Sequence, residues 1–193
     1  MNLAKLFETQ KVLRDRINYQ GEDRFEKLIL ALLVEIGECA NEWRGFKFWS
    51  KNQEPRTRKW IGMEYKDNEF GGLDPILGTD KYSNPLLEEY VDGLHFVLEL
   101  GLEIAEEIQF DVEDYFKEIE DEIRSKSQLT KTTTDQFSYT FYLTSTANYD
   151  FHFPYLFASF YHIGEKFGFT WEQIEEAYYA KNQVNHERQS NGY

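Results

Sequence analysis

Between residues 22 and 45 apolar side chains recur every three or four positions, at Phe25, Leu28, Ile29, Leu32, Leu33 and Ile36. That is the period of a helix laying one face on a core. Three carboxylates share the run. At about 100° per residue, Glu35 lies roughly 20° and Glu42 roughly 40° from Leu28, with Glu38 roughly 80° away. Ionised groups on or beside a core-facing stripe are costly unless something compensates them. Either the C-terminal half of this helix turns to solvent, leaving Glu38 and Glu42 exposed, or a cation answers them.

A second helix repeats the pattern. Pro85 suits a first helical position, and the segment from it to about Ile108 is strongly apolar. In it Glu89 and Asp92 are three apart and so neighbours on one face, with His95 and Phe96 a turn further on. Two inward acid pairs would bring four carboxylates together inside a bundle. Hard divalent ions such as Mg²⁺ favour such all-oxygen sites, and Mg²⁺ keeps waters that substrate phosphates can replace.

The last helix, 171–189, supplies the opposite charge. Lys181, Asn185 and Arg188 fall at i, i+4 and i+7, with Asn182 and Gln189 on a neighbouring row. In a chain of net charge −14 this stripe predicts an anion clamp, since guanidinium grips phosphate oxygens through two donors. Carboxylates for metal and cations for phosphate together predict metal-assisted hydrolysis of a phosphate ester or anhydride. The sequence has no GxxxxGK[ST] loop, which argues against a Walker-type NTPase.

The rest of the 193 residues fits an all-α bundle in a single domain, 1–193. Further helices are expected at 2–17, 111–125 (opened by Asp111) and 151–167, with a capping box at Thr170 and Gln173. Residues 50–84 lack periodicity and read as a long surface loop. FSYTFYLTSTA, within 126–150, has strand-like residues but nothing to pair with, and reads as irregular or helical. Eleven acidic residues against Lys117 fill 99–123, and they read as a solvated helix face. The acidic balance disfavours nucleic-acid or anionic-membrane binding. Cys39, alone, excludes an internal disulfide and reads as a packed small residue, which suits a reducing cytoplasm. No apolar run approaches the ~20 residues of a membrane span, and the start lacks a secretory layout.

Four blocks resemble the dimeric all-α dUTPase family, within the wider MazG-like superfamily of nucleoside triphosphate pyrophosphatases. EIGECANEWRGFKFW (35–49) resembles the family's ExxE motif followed by Lys and Trp, and EEYVDGLHF (88–96) its ExxD with a His three residues on. KNQVNHERQSNGY (181–193) resembles the signature KNxxNxxRQxxGY, and TQKVLRDRI (9–17) more loosely the N-terminal helix lining the uracil pocket. The blocks span nearly the whole chain, in the family's order. The resemblance implies a MazG-like bundle with an insertion around 50–84. It implies hydrolysis of dUTP, and of dUDP, to dUMP by a cytoplasmic homodimer, which keeps uracil out of DNA and supplies dUMP for thymidylate synthesis.

By position in those motifs, Glu35, Glu38, Glu89 and Asp92 would hold Mg²⁺, with Mn²⁺ as a substitute. One of these carboxylates, Glu38 first and Glu35 beside it, would orient or deprotonate the attacking water. His95 and Trp49 would belong to the deoxyuridine pocket. Lys181, Asn185 and Arg188 would bind phosphates, with Asn182, Gln189 and Tyr193 near the nucleotide and Lys47 completing the clamp. Lys11 and Arg14 stand where the family pattern leads one to expect amides, leaving Gln10 as the amide of that block. Two alternatives share these observations: a related house-cleaning pyrophosphatase acting on dCTP or a broader set, and a non-catalytic acidic helical protein that binds a protein partner.

Overall fold

The computed structural model describes residues 1–68 and 71–192. Its helices are α1 (Leu3–Ile17), α2 (Arg24–Trp43), α3 (Pro85–Glu107), α4 (Asp114–Ser125), α5 (Thr133–Ser145), α6 (Phe153–Phe167) and α7 (Trp171–Ser190). The architecture is the all-α one that the apolar periodicity predicts. Helix ends follow local chemistry. Asn84 accepts from the Leu87 amide ahead of Pro85, and Thr170 and Gln173 form both bonds of the capping box. Gly168 closes α6 with φ at 77°, a conformation open to a residue without Cβ. Helix α4 begins three residues later than expected, because the Asp111 carboxylate accepts from the Glu113 amide and forms a turn ahead of the helix.

Helix α3 lies at the centre. It packs on α1, α2, α6 and α7 and buries residues around most of its circumference, from Leu86 and Tyr90 to Leu98, Leu100 and Ile104. One buried cluster runs from Leu3 and Phe7 through these residues to Phe157, Phe160 and Tyr178. No described helix is long and apolar enough to cross a membrane.

One segment differs from the sequence reading, and in a second the structure decides between the two readings left open, irregular or helical, in favour of a helix. The 50–84 stretch, expected to be loop, carries two small antiparallel sheets, β1 (Lys59–Gly62) with β4 (Lys81–Ser83) and β2 (Tyr65–Asp67) with β3 (Leu73–Pro75). Trp60 faces Tyr82 and Lys66 faces Asp74, with an irregularity at Gly62. These strands are exposed almost throughout, so no buried face imposes an apolar alternation that could be read. The strand-like 126–150 stretch is resolved the other way. Gln136, Thr140 and Thr144 recur every four residues on α5 and are buried. Gln136 donates to the Ser159 carbonyl and hydroxyl of α6, and Thr140 shares a 2.8 Å bond with Ser159. A buried polar ladder between two helices overrides the β propensity of the Thr, Tyr and Phe around it.

Close packing of α3 depends on Gly101. A methyl group there would stand 2.5 Å from the Phe153 ring and 3.0 Å from that of Phe7. Gly101→Ala should therefore destabilise by about 1–3 kcal/mol despite alanine's better helix propensity. Thermal unfolding should show a Tm lower by roughly 2–12 °C, and an unchanged or raised Tm would mean the rings yield freely.

Candidate functional site

The facing sides of α2 and α3 bring Glu35, Glu38 and Glu89 together, with one carboxylate oxygen from each within 4.8 Å of the others. Glu38 is exposed while Glu35 and Glu89 are half-buried, and the C-terminal half of the helix stays on the bundle, with Cys39 buried and Glu42 only 14% exposed. Glu42, the next acid along, is neutralised by Arg56 at 2.7 Å. Among the described residues no ion pair neutralises Glu35, Glu38 or Glu89. Burial, and then the charges of neighbouring carboxylates, push the pKa of both Glu35 and Glu89 up to about 7. Oxygen donors crowded without a resident cation fit a hard divalent ion.

Asp92, the fourth carboxylate, takes a different partner. Lys181 of α7 donates to it at 2.5 Å. Burial still holds the Asp92 pKa above its ordinary value, against the lowering effects of Lys181 and Arg188. Lys181, Asp92 and Glu35 all line a cavity of about 520 Å³ between α1, α2, α3 and α7. Leu28, Ala31 and Phe96 give this cavity apolar wall, and Asn185, Arg188 and Gln189 give it a polar edge from α7.

Deeper in the cavity, His95 stacks on Tyr178 with ring centroids 4.3 Å apart. Its Nδ1 lies 2.9 Å from Gln10 Oε1, which also accepts from the Tyr178 hydroxyl at 3.0 Å. Its Nε2 is buried with no partner among the described residues. Burial, helped by nearby Lys181, lowers the His95 pKa to about 3, so the ring is neutral at physiological pH. The cleft thus joins an apolar wall and directed hydrogen-bonding groups to cationic and acidic ends. It can seat a planar polar ring, a phosphate chain and a divalent ion.

The family model described as dUTPase matches residues 2–69 and 78–193. The chain belongs to the dUTPase family. Membership makes it an enzyme, a dUTP diphosphatase of the all-α type. A comparison with curated proteins gives no match. Apart from Met1, the residues outside the match are 70–77, within the 50–84 segment that carries β3.

Most of the side chains singled out in the sequence meet in this dUTPase around one cavity. Gln10, Glu35, Asp92, His95, Lys181, Asn185, Arg188 and Gln189 line it, with Glu38 and Glu89 beside Glu35. Others lie elsewhere. Lys47 bonds the Asn41 side chain, and Trp49, 65% exposed, packs edge-on against Phe46 and Phe48, both away from the cavity. Asn182 is buried, its Nδ2 without a partner among the described residues. Tyr193 lies outside the described residues.

The sequence reading passed over Tyr178 and Glu99, and it took the acidic run from Glu99 as a solvated face. Glu99 and Glu103 are instead only 12% and 13% exposed, and both pair with Arg14. The signal was present in the spacing: Asp92, His95 and Glu99 fall at i, i+3 and i+7, as do Tyr178, Lys181 and Asn185. Lys11, by contrast, faces outward and pairs with Asp15.

The raised carboxylates make stability depend on pH. Glu35 and Glu89 ionise near 4.5 in the unfolded chain and near about 7 in the folded, metal-free protein. Between these values the folded state holds protons that the unfolded state has released, so stability falls as pH rises through the window. Melting in a chelator from about pH 5 to pH 8 should show a declining Tm. The decline should flatten in the Glu35→Gln/Glu89→Gln variant; an equal decline there would assign it to other groups.

Proposed function

We propose that this dUTPase hydrolyses dUTP to dUMP and pyrophosphate with Mg²⁺ as its metal, accepts dUDP as a second substrate, and works as a homodimer. The observation that carries the reading is the polarity of the cavity. Unneutralised carboxylates flank one end, a buried histidine with a free ring nitrogen sits within, and a cationic stripe closes the side. Glu35, Glu38 and Glu89 would hold the metal, with Asp92 joining them by exchanging its Lys181 partner. Mg²⁺ bound there would neutralise phosphate charge and polarise the scissile phosphorus.

The chain's own residues do the rest. Glu38, the most exposed of the three acids, orients the attacking water and accepts its proton. Lys181 and Arg188 hold phosphate oxygens, and Asn185 and Gln189 add neutral donors. The uracil ring lies against Leu28, Ala31 and Phe96 and bonds His95. Such pairing discriminates strongly because a wrong base strands buried polar groups. Leu30 and Val34, a turn apart on the outer face of α2 and 63% and 48% exposed, support a second subunit covering that face.

Incubation with Mg²⁺ and each canonical dNTP plus dUTP should release pyrophosphate from dUTP alone. Turnover led by dCTP would keep the metal site and overturn the base pocket. Glu38→Gln should lower kcat by more than the ~10–100-fold typical of outer-shell losses, with Tm unchanged or raised as like-charge repulsion is relieved. Retained turnover would refute its role at the metal and water. Arg188→Ala should raise the KM for dUTP by roughly 10–100-fold, the worth of a hydrogen bond to a charged group, and leave deoxyuridine binding unchanged. An equal effect on the nucleoside would mean that Arg188 does not read phosphate.

A further inference from the structure

Five side chains along one wall of the cavity form a continuous network of hydrogen bonds. Arg14 Nη1 donates to Glu99 Oε1 at 3.0 Å, and Gln10 Nε2 donates to Glu99 Oε2 at 3.0 Å. Gln10 Oε1 then receives His95 Nδ1 at 2.9 Å and the Tyr178 hydroxyl at 3.0 Å. The direction of every bond follows from its first member. An ionised carboxylate only accepts, so Gln10 must present its NH₂ to Glu99 and its oxygen to His95. An amide oxygen only accepts, so the His95 proton must sit on Nδ1. A neutral imidazole has one N–H, which leaves Nε2 a lone-pair acceptor.

From this geometry we infer that Glu99, acting through Gln10, sets the tautomer of His95 and thereby makes the pocket select a base that offers a ring N–H. Both Glu99 carboxylate oxygens are taken by Arg14 and Gln10, so it acts through Gln10 as a positioning residue; the inference rests on the proposed seating of the base beside His95. Uracil carries a hydrogen on N3 and can donate to Nε2. Cytosine has a bare lone pair on N3, so acceptor meets acceptor and both are stranded out of water. Thymine also carries the N3 hydrogen, so the relay does not read it, and its methyl group must be refused by space alone.

The ring has no easy escape, since burial keeps it from protonating and donating at both nitrogens. Arg14, held as well by Glu103 and Glu106 at 2.5 Å, anchors the relay at its far end.

The test is Glu99→Gln. The new amide has one oxygen, and both Arg14 and Gln10 demand it. Arg14 has no acceptor to offer, so the oxygen stays with the guanidinium and the new NH₂ faces Gln10. Gln10 then turns over, and His95 moves its proton to Nε2. Nitrogen NMR of ligand-free protein should report Nδ1–H in the parent and Nε2–H in E99Q.

The kcat/KM ratio of dUTP to dCTP should fall at least ~10-fold in E99Q while that of dUTP to dTTP holds. Glu103→Gln removes a charge from the same cluster without touching Gln10 and should keep the parent tautomer and ratio. An Nε2–H tautomer in the parent overturns the relay whether or not the variant folds. So does an unchanged tautomer or an unchanged dUTP to dCTP ratio in E99Q. Absence of dUTP turnover by the parent would sink the functional reading instead, and the NMR comparison would still decide the relay.

Discussion

Because α3 is surrounded by α1, α2, α6 and α7, the charges on its covered faces have to be answered by a neighbouring helix or by something from outside, while Glu88 and Glu107 meet solvent. A helix that apolar would ordinarily be a passive core element. This one carries Glu89, Asp92, His95, Glu99 and Glu103 along its length, and each is met differently. Arg14 of α1 answers Glu99 and Glu103, Gln10 of α1 answers His95, and Lys181 of α7 answers Asp92. Glu89 is met by more acid, from Glu35 and Glu38 of α2. The positions of α1, α2 and α7 around α3 are therefore also the assignment of roles within the site.

That arrangement accounts for a cavity in the middle of a well-packed bundle. Side chains of opposite polarity cannot interdigitate as densely as the Phe7, Phe153 and Phe157 rings do on the other side of α3. Where α1, α2 and α7 present charged and amide groups to α3, about 520 Å³ is left between them. The ring packing ties α1 to α6 and the buried Gln136–Ser159 ladder ties α5 to α6, so the helix that carries Gln10 and Arg14 is also held by contacts outside the polar half. Preorganised polar groups in a partly dry cleft are what transition-state stabilisation requires.

How much of this could be read in advance depended on whether one helix alone carried the signal. Periodicity exposed α2, α3 and α7, and the misplaced acids at Glu35, Glu38 and Glu89 pointed to the metal-like group. Motif order pointed to the family. Arg14 looked like a departure, and Glu99 and Glu103 like solvated charge, because the spacing that puts Glu99 on one face with Asp92 and His95 does not say that a cation 85 residues away in sequence meets it. The sheets of 50–84 escaped for the opposite reason: with neither face buried, Lys59–Gly62 and Lys81–Ser83 have no alternation to detect. In 133–145 the periodic residues were polar, so a search for apolar spacing passed over Gln136, Thr140 and Thr144.

The two acidic groups of this protein show that carboxylate density does not by itself mark a metal site. Glu99, Glu103 and Glu106 outnumber their cations, yet Arg14 bonds all three at 2.5–3.0 Å and Arg24 adds a second pair to Glu103 at 3.3 Å. Glu35, Glu38 and Glu89 have no such resident. Removing Arg14 from the first group would leave buried charge unpaired, a loss of stability; supplying a cation to the second would relieve repulsion that the fold now tolerates. Groups that a fold leaves uncompensated at a cavity are those for which an outside partner lowers the free energy most. By that criterion the acids of α2 and α3, not the denser acidic run that follows them, are the group to which the proposed metal would bind.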